Sequence, residues 1–125
     1  MKITRLVIDN EQRSLVVEFS APKQSSNAQL SYEYLRISSP AIANKKQKNG
    51  QKLIESHKKN VSLIKIECVA KHGFRFIFDD GHDDIYSEAY IQTLIQEYQI
   101  RWQSYLTALK ASGHTREAMI DIKQL

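Results

Sequence analysis

Hydrophobic residues occupy every second position in the first part of the chain, a period that is typical of β-strands. Leu15, Val17 and Phe19 therefore share one face of a strand at residues 14–19. A second apolar run at residues 3–8 is separated from it by the polar sequence Asp-Asn-Glu-Gln, which indicates a hairpin. Residues 21–27 are turn-forming and predict a loop, followed by a short third strand at residues 28–30.

A further strand is predicted at residues 61–69. Period-two alternation would place Leu63 on one face and Ile64, Ile66 and Cys68 on the other. Cys68 is the only cysteine of the chain, which excludes an internal disulfide and a multi-cysteine zinc site.

Three phenylalanines at alternate positions, Phe74, Phe76 and Phe78, must lie on one side of the next strand. We interpret this side as core, because an exposed phenylalanine face would form an apolar patch that monomers rarely tolerate. The sequence Asp-Asp-Gly at 79–81 predicts a tight hairpin turn, since aspartate accepts the bends and glycine supplies a positive φ. A short return strand follows at residues 85–86.

A long helix is predicted after Ser87, which is a favourable N-cap. Its apolar positions form one stripe and comprise Ile91, Leu94, Ile95, Tyr98, Trp102, Tyr105, Leu106 and Leu109. Gly113 is expected to end this helix. Earlier in the chain, Ser31 predicts one capped helical turn that stops at the Ser-Ser-Pro sequence of residues 38–40.

These elements predict an α+β fold in which a small, mainly antiparallel sheet packs against a long C-terminal amphipathic helix. The 125 residues suit one domain, which we place at residues 1–112. Residues 113–125 are expected to be a loose tail, and the polar residues 41–60 predict a mobile loop within the domain.

The net charge of +4 is concentrated in one segment, residues 45–60. Six lysines lie there against one glutamate: Lys45, Lys46, Lys48, Lys52, Lys58 and Lys59. The segment lacks the arginines and aromatic residues that usually accompany lysines on a nucleic-acid surface. We therefore expect a solvated loop without nucleic acid, with polyanion binding through these lysines as the alternative.

Three groups of residues carry a family resemblance. They are Tyr-Leu-Arg-Ile-Ser-Ser-Pro at 34–40, Ile-Glu at 66–67, and Phe-Asp-Asp-Gly-His-Asp at 78–83 followed by Ile-Tyr-Ser at 85–87. In this order they resemble the gamma-butyrobetaine hydroxylase-like N-terminal domain family, which in bacteria is a domain of unknown function. The resemblance covers most of residues 3–112 and implies a small antiparallel sheet packed on a C-terminal helix.

The resemblance also bears on metal binding. In the family this domain precedes an oxygenase domain in carnitine-pathway dioxygenases, where three cysteines and the histidine of the Gly-His turn bind a structural zinc. His82 matches that histidine, whereas the matching segment at residues 38–43 contains no cysteine. We therefore expect neither zinc nor another cofactor.

The size of the chain and the resemblance favour a non-catalytic accessory or protein-interaction domain with an unidentified protein partner. Arg36, Asp80 and His82 are the candidate contact residues, because the family's zinc geometry brings their segments together. An arginine fork also binds carboxylates in a bidentate manner. The alternative is that Arg36 and Asp80 only bridge the two segments structurally.

An enzyme is the competing hypothesis. His82-Asp83-Asp84 contains the His-x-Asp of an iron(II) facial triad, which would suit a metal-binding domain or an oxygenase accessory. The triad needs a distant second histidine, only His114 follows, and the strands of a jelly roll are lacking, so we expect no enzyme. No apolar run approaches the ~18 residues of a membrane span, so we expect a cytoplasmic protein.

Overall fold

The computed structural model describes residues 2–21, 24–43 and 58–113. The first sheet is an antiparallel meander of β1 (Lys2–Asp9), β2 (Ser14–Ala21) and β3 (Gln24–Ser31) in the order β1-β2-β3. The predicted hairpin is confirmed, with Ile8 opposite Leu15. The third strand is longer than predicted, because residues 24–27 pair with the end of β2 instead of forming a loop.

Two short helices connect this sheet to the second one. α1 (Tyr32–Ile37) begins as predicted, with the Ser31 hydroxyl accepting the N–H of Tyr34. α2 (Pro40–Ala43) lies where the predicted loop should begin, so the prediction was wrong for residues 41–43. Proline suits the first position of a helix, and the carboxylate of Asp84 accepts the N–H of Ala41. The rest of the predicted loop, up to residue 57, lies outside the described residues.

The second sheet contains β4 (Leu63–Val69), β5 (Gly73–Phe78) and β6 (Asp83–Tyr86), all antiparallel and in that order. A register shift between Leu63 and Lys65 places Leu63 opposite Phe78 and Ile66 opposite Phe76. Leu63 and Ile66 therefore share the phenylalanine face, and Ile64 is 58% exposed. The predicted separation of Leu63 from Ile66 was wrong, because a β-bulge inserts one residue and reverses the alternation.

The hydrophobic core combines residues from both sheets and from the helices. Phe76 and Phe78 are buried, and Phe74 packs at the margin of the core, so the prediction of a phenylalanine core face is confirmed. Leu15 and Val17 contribute from the first sheet. The α+β class is confirmed, with two three-stranded sheets in place of one.

The C-terminal helix is divided at Glu97 into α3 (Glu88–Gln96) and α4 (Tyr98–Ser112). Ser87 caps α3 and Gly113 ends α4, both as predicted. The prediction of a single continuous helix was wrong. The hydroxyl of Tyr34 donates to the carbonyl of Leu94 at 2.7 Å, which is the acceptor that Tyr98 would use in an unbroken helix. Of the predicted tail at residues 113–125, Gly113 is described as the end of α4, and residues 114–125 lie outside the described residues. No helix in the described part of the chain is both long enough and apolar enough to cross a membrane.

Candidate functional site

The predicted site residues meet where residues 36–41, from the end of α1 to the start of α2, contact the β5–β6 hairpin at residues 79–84. We call this contact the α1–hairpin junction. The hairpin closes as predicted, with the N–H of Phe78 donating to the carbonyl of His82 at 2.9 Å. Gly81 has a φ of +86°, which an L side chain rarely adopts, and so allows the tight turn.

Asp80 is the electrostatic centre of the junction. Its Oδ2 atom lies 2.9 Å from Nε of Arg36 and 2.9 Å from Nζ of Lys58, and its Oδ1 accepts the N–H of His82 at 3.2 Å. The side chain of Arg36 is 7% exposed and that of Asp80 is 22% exposed. Burial alone would raise the pKa of Asp80, but the hydrogen bonds from Lys58 and His82 and the charge of Arg36 together lower it.

A second group of contacts lies beside this ion pair. The buried Ser39 hydroxyl donates to Oδ2 of Asp84 at 2.5 Å and lies 2.8 Å from Nε2 of His82. A serine hydroxyl has one proton, so His82 must be the donor to Ser39 and carries its proton on Nε2. Asp84 also accepts the N–H groups of Ala41 and Ile85. The result is a continuous hydrogen-bonded chain from the turn to the start of α2.

Two tyrosines close the junction on the side of the core. The Tyr86 hydroxyl donates to the carbonyl of Leu35, and the Tyr90 hydroxyl donates to the carbonyl of Ser38 at 2.6 Å. Burial raises the pKa of both phenols, which keeps them protonated as donors. These bonds satisfy carbonyl groups at the end of α1 that have no partner within the helix.

The structure brings Arg36, Asp80 and His82 together, as the family resemblance implied. Sequence reasoning missed the role of Ser39, which was noted only as part of a helix stop. Asp84 was considered only as the acid of an iron(II) triad with His82, and its bond to Ser39 was not foreseen. Of the lysines considered for polyanion binding, Lys58 pairs with Asp80 and Lys59 is exposed, whereas Lys45, Lys46, Lys48 and Lys52 lie outside the described residues.

The ligand types at the junction do not fit the zinc site that the resemblance implies. The Nε2 atom of His82 is used in the contact with Ser39, and the carboxylates of Asp80 and Asp84 each accept at least three hydrogen bonds from described residues. Within residues 2–21, 24–43 and 58–113, no group of three or more His, Cys, Asp or Glu side chains could hold a metal ion. That the protein carries no metal stays a prediction.

The arrangement also offers little to a nucleophilic mechanism. Ser39 lies between a histidine and an aspartate, but its exposed fraction is 0%, and its hydroxyl donates a hydrogen bond to Asp84. In a catalytic triad the histidine instead lies between the serine and the acid and accepts the serine proton. The charge-assisted hydrogen bonds of the junction join the two chain segments.

Comparison with known proteins places this fold in a group of small domains. An NMR solution structure of a protein with 32% sequence identity has a TM-score of 0.75, and the match covers 96% of this chain and 88% of that one. A second NMR structure, at 24% identity, also has a TM-score of 0.75, with coverage of 99% and 96%. Similarity at this second level shows the fold alone.

A crystal structure from Acidithiobacillus ferrooxidans, described as a protein with unknown function of the DUF971 family, matches at 20% identity with a TM-score of 0.59. That match covers 74% of this chain and 91% of the other and likewise shows the fold. No curated protein matches the chain. The family model for gamma-butyrobetaine hydroxylase-like, N-terminal domains matches residues 6–92. The chain therefore belongs to the gamma-butyrobetaine hydroxylase-like N-terminal domain family.

Proposed function

We propose that this chain is a non-catalytic accessory domain that binds a partner protein. The observation that carries the proposal is that the buried polar side chains at the α1–hairpin junction already form hydrogen bonds with other residues of the chain. Arg36 and Ser39 are 5% and 0% exposed, and both bind the hairpin instead of facing a cleft. We infer that Arg36 and Ser39 maintain the shape of a surface and do not act on a substrate.

The proposed contact surface is the turn at residues 79–82. Asp80 is an exposed residue of this turn and His82 is half-buried, whereas the side chain of Arg36 is buried and contacts Asp80. Arg36 is thus a positioning residue, and Asp80 and His82 are the proposed contact residues. Lys58 adds a cation beside Asp80, so a partner with hydrogen-bonding and charged groups would fit this surface.

We also propose that the hydrogen-bonded chain of His82, Ser39 and Asp84 replaces the family's zinc in linking the two segments. A zinc site joins chain segments through its ligands and contributes folding energy. Here the bonds at 2.8 Å and 2.5 Å connect the same two segments without a metal. This supports a domain in which the zinc ligands have been lost while the geometry has been kept.

Variants of the junction test the proposal. The full chain and its His82→Ala, Arg36→Ala and Arg75→Ala variants are used to capture partners from native lysate, and each melting temperature is measured. Arg75 is a matched control, because its ion pair with Glu67 lies on an exposed part of β5. The proposal expects His82→Ala to remain folded, with a melting temperature lowered by the lost bond to Ser39, and to lose captured proteins that Arg75→Ala retains.

The opposite result would assign the turn at residues 79–82 a structural role. If His82→Ala lowers the melting temperature but captures the same proteins, the turn is structural and is not the contact surface. Arg36→Ala should lower both the melting temperature and the capture, because it removes one of the two cations that lie 2.9 Å from the partly buried Asp80. Unchanged stability in Arg36→Ala would contradict its positioning role.

A further inference from the structure

The edge strands of the two sheets differ in how they are protected from other chains. In the described part of the chain the edge strands are β1 and β3 in the first sheet and β4 and β6 in the second. An open edge presents unpaired N–H and C=O groups, and proteins usually protect it by charges, prolines, bulges, short length or a covering element. An edge without such protection is a candidate interaction surface.

β1, β4 and β6 each have a protective feature. β1 has a register shift between Ile3 and Arg5, and the N–H of Ile3 donates to the carboxylate of Glu88 at 3.3 Å. β4 has its bulge between Leu63 and Lys65, and the Lys65 side chain is 62% exposed. β6 has only four residues, and α2 lies against it. A further strand would therefore pair poorly at any of these three edges.

β3 lacks these features. Its sequence, Gln-Ser-Ser-Asn-Ala-Gln-Leu-Ser at residues 24–31, contains no charged residue and no proline. It pairs with β2 along its whole length without a register shift. Asn27 and Gln29 are exposed, and no hydrogen bond or ion pair reaches either of them from a described residue outside β2. β3 is thus a regular strand with an open, uncharged edge.

The ladder with β2 determines which backbone groups of β3 point to this edge. The N–H of Tyr32 donates to the carbonyl of Arg13 at 3.1 Å, directly after the regular pairs of β2 and β3. In an antiparallel ladder, alternate residues bond to one neighbouring strand, and the residues between them point to the other side. Residues 26, 28 and 30 therefore bond to β2. The N–H and C=O groups of Asn27 and Gln29 point to the open edge.

These outward groups suit a second copy of the same strand. A two-fold axis through Ala28, perpendicular to the sheet, would place Asn27 opposite Gln29 of the second copy as a hydrogen-bonded pair. An amide side chain both donates and accepts, so these two side chains can also bond to each other. Because β3 carries no charge, no like charges face one another in this pairing. A charged segment of another protein, in contrast, would find no counter-charge on β3.

We propose that the protein forms a symmetric dimer in which the β3 strands of two copies pair in antiparallel orientation about Ala28. The pairing joins two three-stranded sheets into one continuous sheet. A single pair of strands buries a small area, so the dimer is weak, with a dissociation constant on the order of 10–100 µM. The interface shares no residue with the turn at residues 79–82, so this proposal and partner binding succeed or fail independently.

Analytical ultracentrifugation of the full chain, from about 5 µM to about 1 mM, tests the dimer. The double variant Asn27→Lys/Gln29→Lys places lysine opposite lysine across the axis and should weaken dimerisation roughly ten-fold or more. Gln12→Lys/Gln103→Lys is the matched control, because it adds the same charge at exposed positions outside β3. Dimerisation of this control should equal that of the wild type.

Hydrogen exchange and cross-linking then locate the interface. The amides of Asn27 and Gln29 should exchange more slowly as the protein concentration rises, whereas that of Ala28, which bonds to β2, should be protected at every concentration. In a chain with Cys68→Ser, Ala28→Cys should form a disulfide-linked dimer on mild oxidation. The Cα atoms of such a non-hydrogen-bonded pair lie about 4.5 Å apart, which a disulfide can span. Thr4→Cys, on the exposed edge of β1, should remain monomeric.

Four results would each overturn the proposal. They are a monomeric wild type at about 1 mM, equal dimerisation of the two lysine variants, failure of Ala28→Cys to cross-link, and protection of Asn27 and Gln29 that does not depend on concentration. The last result would show that another part of the same chain covers the edge of β3.

Discussion

Replacing Phe76 by alanine should test how the two sheets share one core. The side chain of Phe76 is completely buried on the central strand of the second sheet. Its ring stacks on that of Tyr86, with centroids 4.5 Å apart and an angle of 28° between the planes. Tyr86 in turn donates to the carbonyl of Leu35, so the substitution would also loosen the α1–hairpin junction.

The expected loss is on the order of 3–5 kcal/mol in the free energy of unfolding. Burial of a phenylalanine contributes about 1.5–3 kcal/mol, and an aromatic pair adds about 0.5–1.5 kcal/mol. The cavity left beside Tyr86 accounts for the remainder. A domain of this size commonly has about 5–15 kcal/mol of stability, so the variant would be marginal.

Urea unfolding followed by circular dichroism and by the fluorescence of the single tryptophan, Trp102, measures this loss with two probes. Ile64→Ala is the matched control, because Ile64 lies on the neighbouring strand but is 58% exposed. That control should change stability by no more than about 0.5 kcal/mol. If Phe76→Ala does not fold, Phe76→Leu provides a smaller step of about 1.5 kcal/mol or less.

A loss below about 1 kcal/mol for Phe76→Ala, similar to that for Ile64→Ala, would refute the reasoning. The phenylalanine face would then be accessible to solvent, and a base-stacking platform would again need to be considered. Equal effects of the two substitutions would also show that the bulge in β4 does not direct Ile64 away from the core.

Three further predictions concern single positions and metal. Gly73→Ala should cost on the order of 3 kcal/mol or more in unfolding experiments, because an added Cβ would lie 2.3 Å from the carbonyl oxygen of Tyr86 and φ is +124°. Gly81→Ala, with φ of +86° but open space, should cost only about 1–2 kcal/mol, and equal losses would contradict the contact. Because the folded-state pKa of Asp80 is lowered, the wild type should exceed Asp80→Asn in stability at neutral pH. This difference should decline as the pH falls below about 4 and through the folded-state pKa, whereas a constant difference would argue against the ion pair. Purified protein should contain no stoichiometric zinc, and chelator should leave its melting temperature unchanged; about one zinc per chain in elemental analysis would disprove this.

Local signals in the amino-acid sequence were sufficient for most elements. Ser31 and Ser87 cap helices because a side-chain oxygen beside the first turn satisfies a nearby N–H, which depends on neighbouring residues alone. The Asp-Asp-Gly turn and the alternation of Phe74, Phe76 and Phe78 are local in the same sense. The approach of Arg36 to Asp80 and His82 was inferred from the family resemblance, not from any pattern of residues.

Long-range contacts settled the features that no local pattern could reveal. The helix breaks at Glu97 where the hydroxyl of Tyr34, 60 residues before Leu94, takes the carbonyl that would have continued it. Ser39 binds Asp84 across 45 residues, which joins α2 to the hairpin. A hydroxyl or carboxylate can bond to many partners with similar free energy. Which partner it reaches therefore depends on how the sheets and helices pack, and packing is a property of the whole chain.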